Sequence, residues 1–205
     1  MPAVSLPTAP QLIAHMGSLG YRVFEGVLNL NIVGLRGPNR VAGAWDDRIG
    51  VLYQVRGTAP DALEWRLELY EATTDPGRHY LNEPMRPVGT AVLVPGQYRG
   101  VYEFGLHRGR YEALVQRQPM RFWRDGDCDD FLDLEGPEEE AIIGCNLHRA
   151  AAHALVPDVG RYSAACQVVR DPAHFAALMD LCHHSADQGY GDRFSYTLMD
   201  WPPRA

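Results

Sequence analysis

A histidine and a cysteine eighteen residues apart carry the most specific chemistry in this chain. His148 is followed by Ser163 after 15 residues and by Cys166 after 18. Ala164 and Ala165 stand directly before the cysteine, and Gln167 with the apolar pair Val168-Val169 stands after it. Cysteine attacks as a thiolate. A nearby imidazole can take its proton and hand it on to a leaving amine. Small residues before the nucleophile let a carbonyl approach and leave backbone N–H groups free for an oxyanion. The same two residues also read as plain core positions, since cysteine is among the residue types most often buried.

Other reactive side chains give weaker patterns. Asp125-Gly126-Asp127-Cys128-Asp129-Asp130, with Asp133, opens like a calcium loop. The sixth position is Asp130 rather than glycine and the twelfth is Gly136 rather than glutamate, so it reads as a solvated acidic turn. Cys128, Cys145, Cys166 and Cys182 are 17, 21 and 16 residues apart, which is no zinc-finger spacing. Free thiols are expected, and neither a metal nor a cofactor. All 19 basic residues are arginine, so lysine nucleophiles, Schiff bases and P-loop lysines are excluded. His107 and Arg161 read as surface or strand residues that could line a cleft, and Arg36, which closes a strand, reads as a surface arginine or as a partner for a carboxylate.

These groups need a scaffold. The 205 residues, 46% hydrophobic and 22% charged, fit one soluble globular domain without obligatory staples. A net charge of −7 argues against a nucleic-acid partner. No run of about 18 apolar residues occurs, so no membrane insertion is expected. The first twenty residues lack a basic n-region and an apolar h-region, so the expectation is cytoplasmic synthesis without a signal peptide. Residues 1–10, with three prolines, read as a loose arm. Residues 10–19 read as a short helix stopped by Gly20. Alternating, β-branched stretches follow from 21 to 35, in IGVLYQVRG and LEWRLELYEATT, and in short glycine-punctuated runs to about 125. Asp171 and Pro172 open a helix to about 183, with Phe175, Leu178 and Met179 on one face. FSYTLM closes the pattern as a strand. The fold class is mainly β, a β-rich α+β single domain with few helices.

The order His–x14–Ser–x–x–Cys, with apolar strands on both sides, resembles the L,D-transpeptidase (YkuD-like) catalytic domain, whose box reads Ser-His-Gly-Cys. Ser163-Ala164-Ala165-Cys166 stands at that box, and Leu147-His148-Arg149 at the family's histidine. GTAVLVPGQYRG is similar to the strand that precedes the motif. The resemblance covers about residues 85–200 and implies a mixed-sheet or sandwich core. It implies a Cys166–His148 pair that opens a peptidoglycan stem peptide through a thioester. Ser163, Ala164, Ala165, Gln167, Arg149 and Arg161 then line the oxyanion and substrate site, and the N–H groups of Ala165 and Cys166 hold the oxyanion. Ala164 replaces the box histidine, which favours hydrolysis (L,D-carboxypeptidase or endopeptidase) over L,D-transpeptidase cross-linking. Gln167 reads either as an amide offered to substrate or as a strand end. The expected partners are stem peptides in the periplasm or cell wall, reached by lysis or by bacteriophage or secretion-system delivery. The other class that fits is a non-catalytic β-rich structural or adaptor protein of a phage particle or injection machine.

Overall fold

Apolar, β-branched stretches make the strands, several of them buried along their whole length, and the computed structural model describes residues 5–203. β1 (Asn31–Arg36), β2 (Asp47–Arg56) and β3 (Leu63–Thr73) come first. The short α2 (Arg78–Asn82) precedes β4 (Thr90–Leu93), β5 (Gly96–His107), β6 (Tyr111–Gln116) and β7 (Met120–Asp125). β8 (Glu139–Ala141), β9 (Leu147–Arg149) and β10 (Gln167–Val169) are three residues each. Helix α3 (Pro172–Ser185) and β11 (Arg193–Asp200) end the order. A mainly β chain with few helices is therefore what forms.

The strands close rather than face each other as an open sandwich. β1 meets β2 on one side and β11 on the other, giving an eight-stranded barrel ordered β1-β11-β5-β6-β9-β10-β3-β2. Closure leaves the main sheet without an edge. The sheet is mixed, since β1–β11 and β9–β10 run parallel and the other pairs antiparallel. β4, β7 and β8 form a separate three-stranded sheet. Because β1–β3 complete the barrel, residues 85–200 are not a closed unit by themselves.

Local signals set the helices. Of the expected loose arm, residues 1–4 lie outside the described residues, but Thr8 caps and Ala9 and Pro10 begin a helix, α1 (Ala9–Ser18). Thr8 and Gln11 form a capping box there, with Thr8 N–H donating to Gln11 Oε1 at 2.9 Å. Leu12 and Met16 then bury against Val33, Leu35 and Leu52. α3 starts on Asp171, whose carboxylate accepts the Ala173 N–H at 2.8 Å. Phe175, Leu178 and Met179 are buried in the main core with Leu114, Leu147 and Val169, as their spacing requires. Residues 21–30 do not join the expected strand. Asn31 accepts the Phe24 N–H at 2.7 Å and donates to the Phe24 carbonyl at 2.9 Å, so a side chain takes the ladder's place.

Candidate active site

Strand register decides which side chains can meet. In the parallel β9–β10 pair Leu147 lies beside Gln167 and His148 beside Val168. Side chains alternate along each strand, so Leu147, Gln167 and Val169 share one face and His148 and Val168 the other. Cys166, two residues before Val168, has the parity of His148. Burial agrees: Leu147 and Val169 join the barrel core, while Val168, Cys166, Ala150, Trp45 and Val159 form a separate cluster outside it. A strand spacing near 4.8 Å with a two-residue offset puts the Cβ atoms of His148 and Cys166 roughly 8 Å apart. An imidazole and a thiol together can span that.

A tight turn presents the cysteine. Ser163 Oγ donates to the Cys166 carbonyl at 2.8 Å and accepts the Ala165 N–H at 3.3 Å. The Ser163 carbonyl accepts the Gly77 N–H at 2.9 Å. Any side chain at Gly77 would prevent that approach, since a Cβ there would sit 2.1 Å from the Gly160 carbonyl oxygen. The Cys145 thiol donates to the Ala165 carbonyl at 3.0 Å from below. Ala165 pays for this turn with φ of 139°, on the side of the map that favours glycine. Such strain costs about 1–3 kcal/mol, against about 0.5–1 kcal/mol of extra chain entropy for glycine. Ala165→Gly is therefore expected to raise stability by about 1 kcal/mol, read from the urea midpoint; a lower midpoint would sink the strain argument.

Two expected substrate contacts are corrected by this turn. Ser163 is fully buried and spends its hydroxyl on the turn. Gln167 is also fully buried: its amide donates to Thr74 and Ala165 carbonyls at 3.1 and 3.2 Å and accepts from Tyr196 Oη at 2.6 Å. Its alternation points it into the barrel, so it is a core fastener and not an amide offered outside. The oxyanion donors change as well, because the Ala165 N–H is taken by Ser163. The Cys166 N–H has no protein acceptor among the described residues. Ala164 is half-buried and Arg161 is exposed.

His148 is held in one tautomer. Its Nδ1 lies 2.7 Å from the Arg149 carbonyl oxygen, which can only accept, so Nδ1 carries the proton. Tyr111 Oη lies 3.2 Å from both Nδ1 and that oxygen. Nε2 keeps a bare lone pair, buried and without any hydrogen-bond partner. The Arg149 guanidinium lies over the Tyr111 ring, 4.0 Å from its centroid, so this residue serves the histidine through its carbonyl. His107 is no surface residue: its ring stacks on His148 with centroids 3.9 Å apart, and the Asn146 amide reaches its Nδ1 at 3.2 Å. Burial, then the neighbouring His107, pushes His148 down to about 3. Cys166 is half-buried, and burial pushes its thiol up to about 11, against the opposing pull of the Asn146 N–H and Arg108. The thiol points to the Gly144 carbonyl at 3.5 Å, and no hydrogen bond joins it to His148. At rest the pair is thiol and neutral imidazole.

No family model, curated protein or solved structure matches the chain. A His148 Nε2 without a partner, a thiol of the same parity one residue before β10, and an N–H without an acceptor at the thiol's own residue are the kinds of group that acyl transfer through sulfur uses. In this resting arrangement, however, with His148 near 3 and the thiol near 11, the proton stays on sulfur. His107, Asn146 and Tyr111 are the residues that sequence spacing did not single out for this role. They come from β5, β6 and the β8–β9 connection, and only barrel closure brings them to β9. Arg36 meets a carboxylate of its own chain: it is fully buried in an ion pair with Asp75 at 2.7 Å.

Proposed function

We propose that this chain is a peptidoglycan-processing cysteine hydrolase of the L,D-transpeptidase (YkuD-like) kind, acting on stem peptides. The observation that supports it best is the buried His148 Nε2, left without a partner while Nδ1–H is fixed on Arg149. Burying a polar atom unpaired costs about 1–3 kcal/mol, and a base awaiting a proton accounts for that cost. As the Cys166 sulfur adds to the carbonyl before a D-amino acid, its proton passes to Nε2. The Cys166 N–H faces the developing oxyanion. Collapse of the adduct breaks the C–N bond, Nε2–H protonates the leaving amine, and a thioester remains. Water then adds with His148 again taking a proton, and the thiol leaves with that proton restored. Ala164 offers no imidazole to the acyl donor, which favours water over a second amine as acceptor.

The closed ground state, with the thiol turned to Gly144, also fits a binding module that keeps the fold without catalysis, such as a phage or injection-machine adaptor. Mass spectrometry of defined tetrapeptide muropeptides incubated with the protein separates the two. Loss of the terminal D-amino acid, or a cut beside a D-centre, is expected without any added acceptor. Unchanged masses for every stem peptide at stoichiometric protein would rule the enzyme out.

A further inference from the structure

The geometry points to a divalent-cation site, of calcium type, built by Asp125, Asp127 and Asp133 at the end of β7. Each offers a carboxylate oxygen, and the three lie within 4.8 Å of one another. Calcium–oxygen bonds run about 2.3–2.6 Å, so one ion can bridge oxygens up to about 5 Å apart. Asp125 supplies the independent evidence. It is fully buried, its Oδ2 accepts the Asp133 N–H at 2.9 Å, and its Oδ1 is buried with no hydrogen-bond partner. Asp125 thus brings a fully buried carboxylate with one unpaired oxygen to a cluster of three. Protein cations do not fill that place: among the described residues none of the three makes an ion pair, while nearby Asp130, Glu138 and Glu139 are matched by Arg78, Arg121 and Arg124.

The pattern escapes the helix–loop–helix calcium motif because its ligands are held differently. Asp125 is fixed at a strand end and Asp133 returns to it eight residues later, so sheet geometry sets the spacing. Three carboxylates leave at least three of six to eight positions to water, which places the site among weak ones, with Kd on the order of 10⁻⁴–10⁻³ M. All-oxygen donors favour hard cations over zinc or copper. The turn that the ion would clamp is tied to the loop after β1, through the Ala42 N–H to Asp130 at 2.9 Å and the Leu132 N–H to Arg40 at 2.8 Å. The cation therefore fastens two connections that no disulfide holds.

Thermal unfolding of the full chain tests this, with CaCl₂ from 0 to 10 mM at constant ionic strength against EDTA. Saturating calcium should raise Tm by on the order of 3–10 °C. Asp127→Asn, at an exposed position, should fold normally, lose that rise, and be no less stable than wild type in EDTA because a repelling charge is gone. Terbium, excited through indole absorption with Trp123 two residues before Asp125, should give saturable emission in wild type and none in Asp125→Asn. Three results would overturn the site: no Tm response up to 10 mM, an equal response in Asp127→Asn, or an equal response to magnesium.

Discussion

Replacing Cys166 by alanine is expected to abolish cleavage of stem peptides, and His148→Ala to lower its rate by about 10²–10⁴-fold. The two losses differ because the nucleophile makes the covalent bond, whereas water can still take a thiol proton slowly. Cys145→Ala is the internal control: that thiol lies in the main core under the turn, so the change should cost stability with little effect on rate at saturating substrate. The pH dependence carries the sharper test. With His148 held near 3 and Cys166 near 11, the neutral pair persists across the whole range between. The profile of kcat/KM should therefore be flat from about pH 5 to 9. A bell centred near neutrality would instead report a thiolate–imidazolium pair and overturn this description of the site. Stability responds in a defined direction. His148 is depressed below its unfolded value near 6.5, so its contribution is present above that pH and lost as pH falls toward 3. Asp47 works oppositely: burial raises it to about 7, and its contribution is lost as pH rises from about 4 through 7.

Arg36→Met is expected to destabilise the fold by about 3–5 kcal/mol, the largest stability effect of a single replacement. Arg36 is only 1% exposed, donates to the Leu93 carbonyl at 2.9 Å and pairs with Asp75 at 2.7 Å. Asp47 lies in the same cluster and accepts the Gly37 and Thr74 N–H groups at 2.6 and 2.7 Å. Removing the guanidinium leaves two buried carboxyls facing each other without a cation. The loss should shrink at pH 5, where those carboxyls take up protons, and the double change Arg36→Met with Asp75→Asn should recover much of it. Urea unfolding at pH 5 and 8 measures both. A loss below 1 kcal/mol at pH 8 would mean that the cluster contributes nothing net to stability. The cluster ties β1, β2 and the β3–α2 turn together, and that turn carries Thr74, to which Gln167 bonds beneath the cysteine.

Much of the local structure was legible because it depends on near neighbours. Asp171 with Pro172 starts a helix whatever surrounds it, and the spacing of Phe175, Leu178 and Met179 fixes which face is buried; the Thr8 cap of α1 lies inside the arm expected to be loose and was missed. Alternation in 47–56 and 63–73 makes strands for the same reason. His148 and Cys166 stand out as a candidate pair from residue type and spacing, and activity measurements are what test that pairing. What the sequence could not determine was which faces meet. Alternation says that Gln167 and Cys166 point oppositely, but not which of them enters the barrel; that follows from the parallel register of β9 with β10. Ser163 reads as a substrate contact by its place in the motif, and only the tertiary structure shows its hydroxyl bonded to the Cys166 carbonyl and its carbonyl to the Gly77 N–H. His107 stacks on His148 across 41 residues of chain, and Asp133 reaches Asp125 only because β7 ends where it does. Local propensity acts over a turn of helix or a pair of strand positions. The environment of a base, a thiol or a carboxylate is set by contacts tens of residues apart, and those exist only once the barrel has closed.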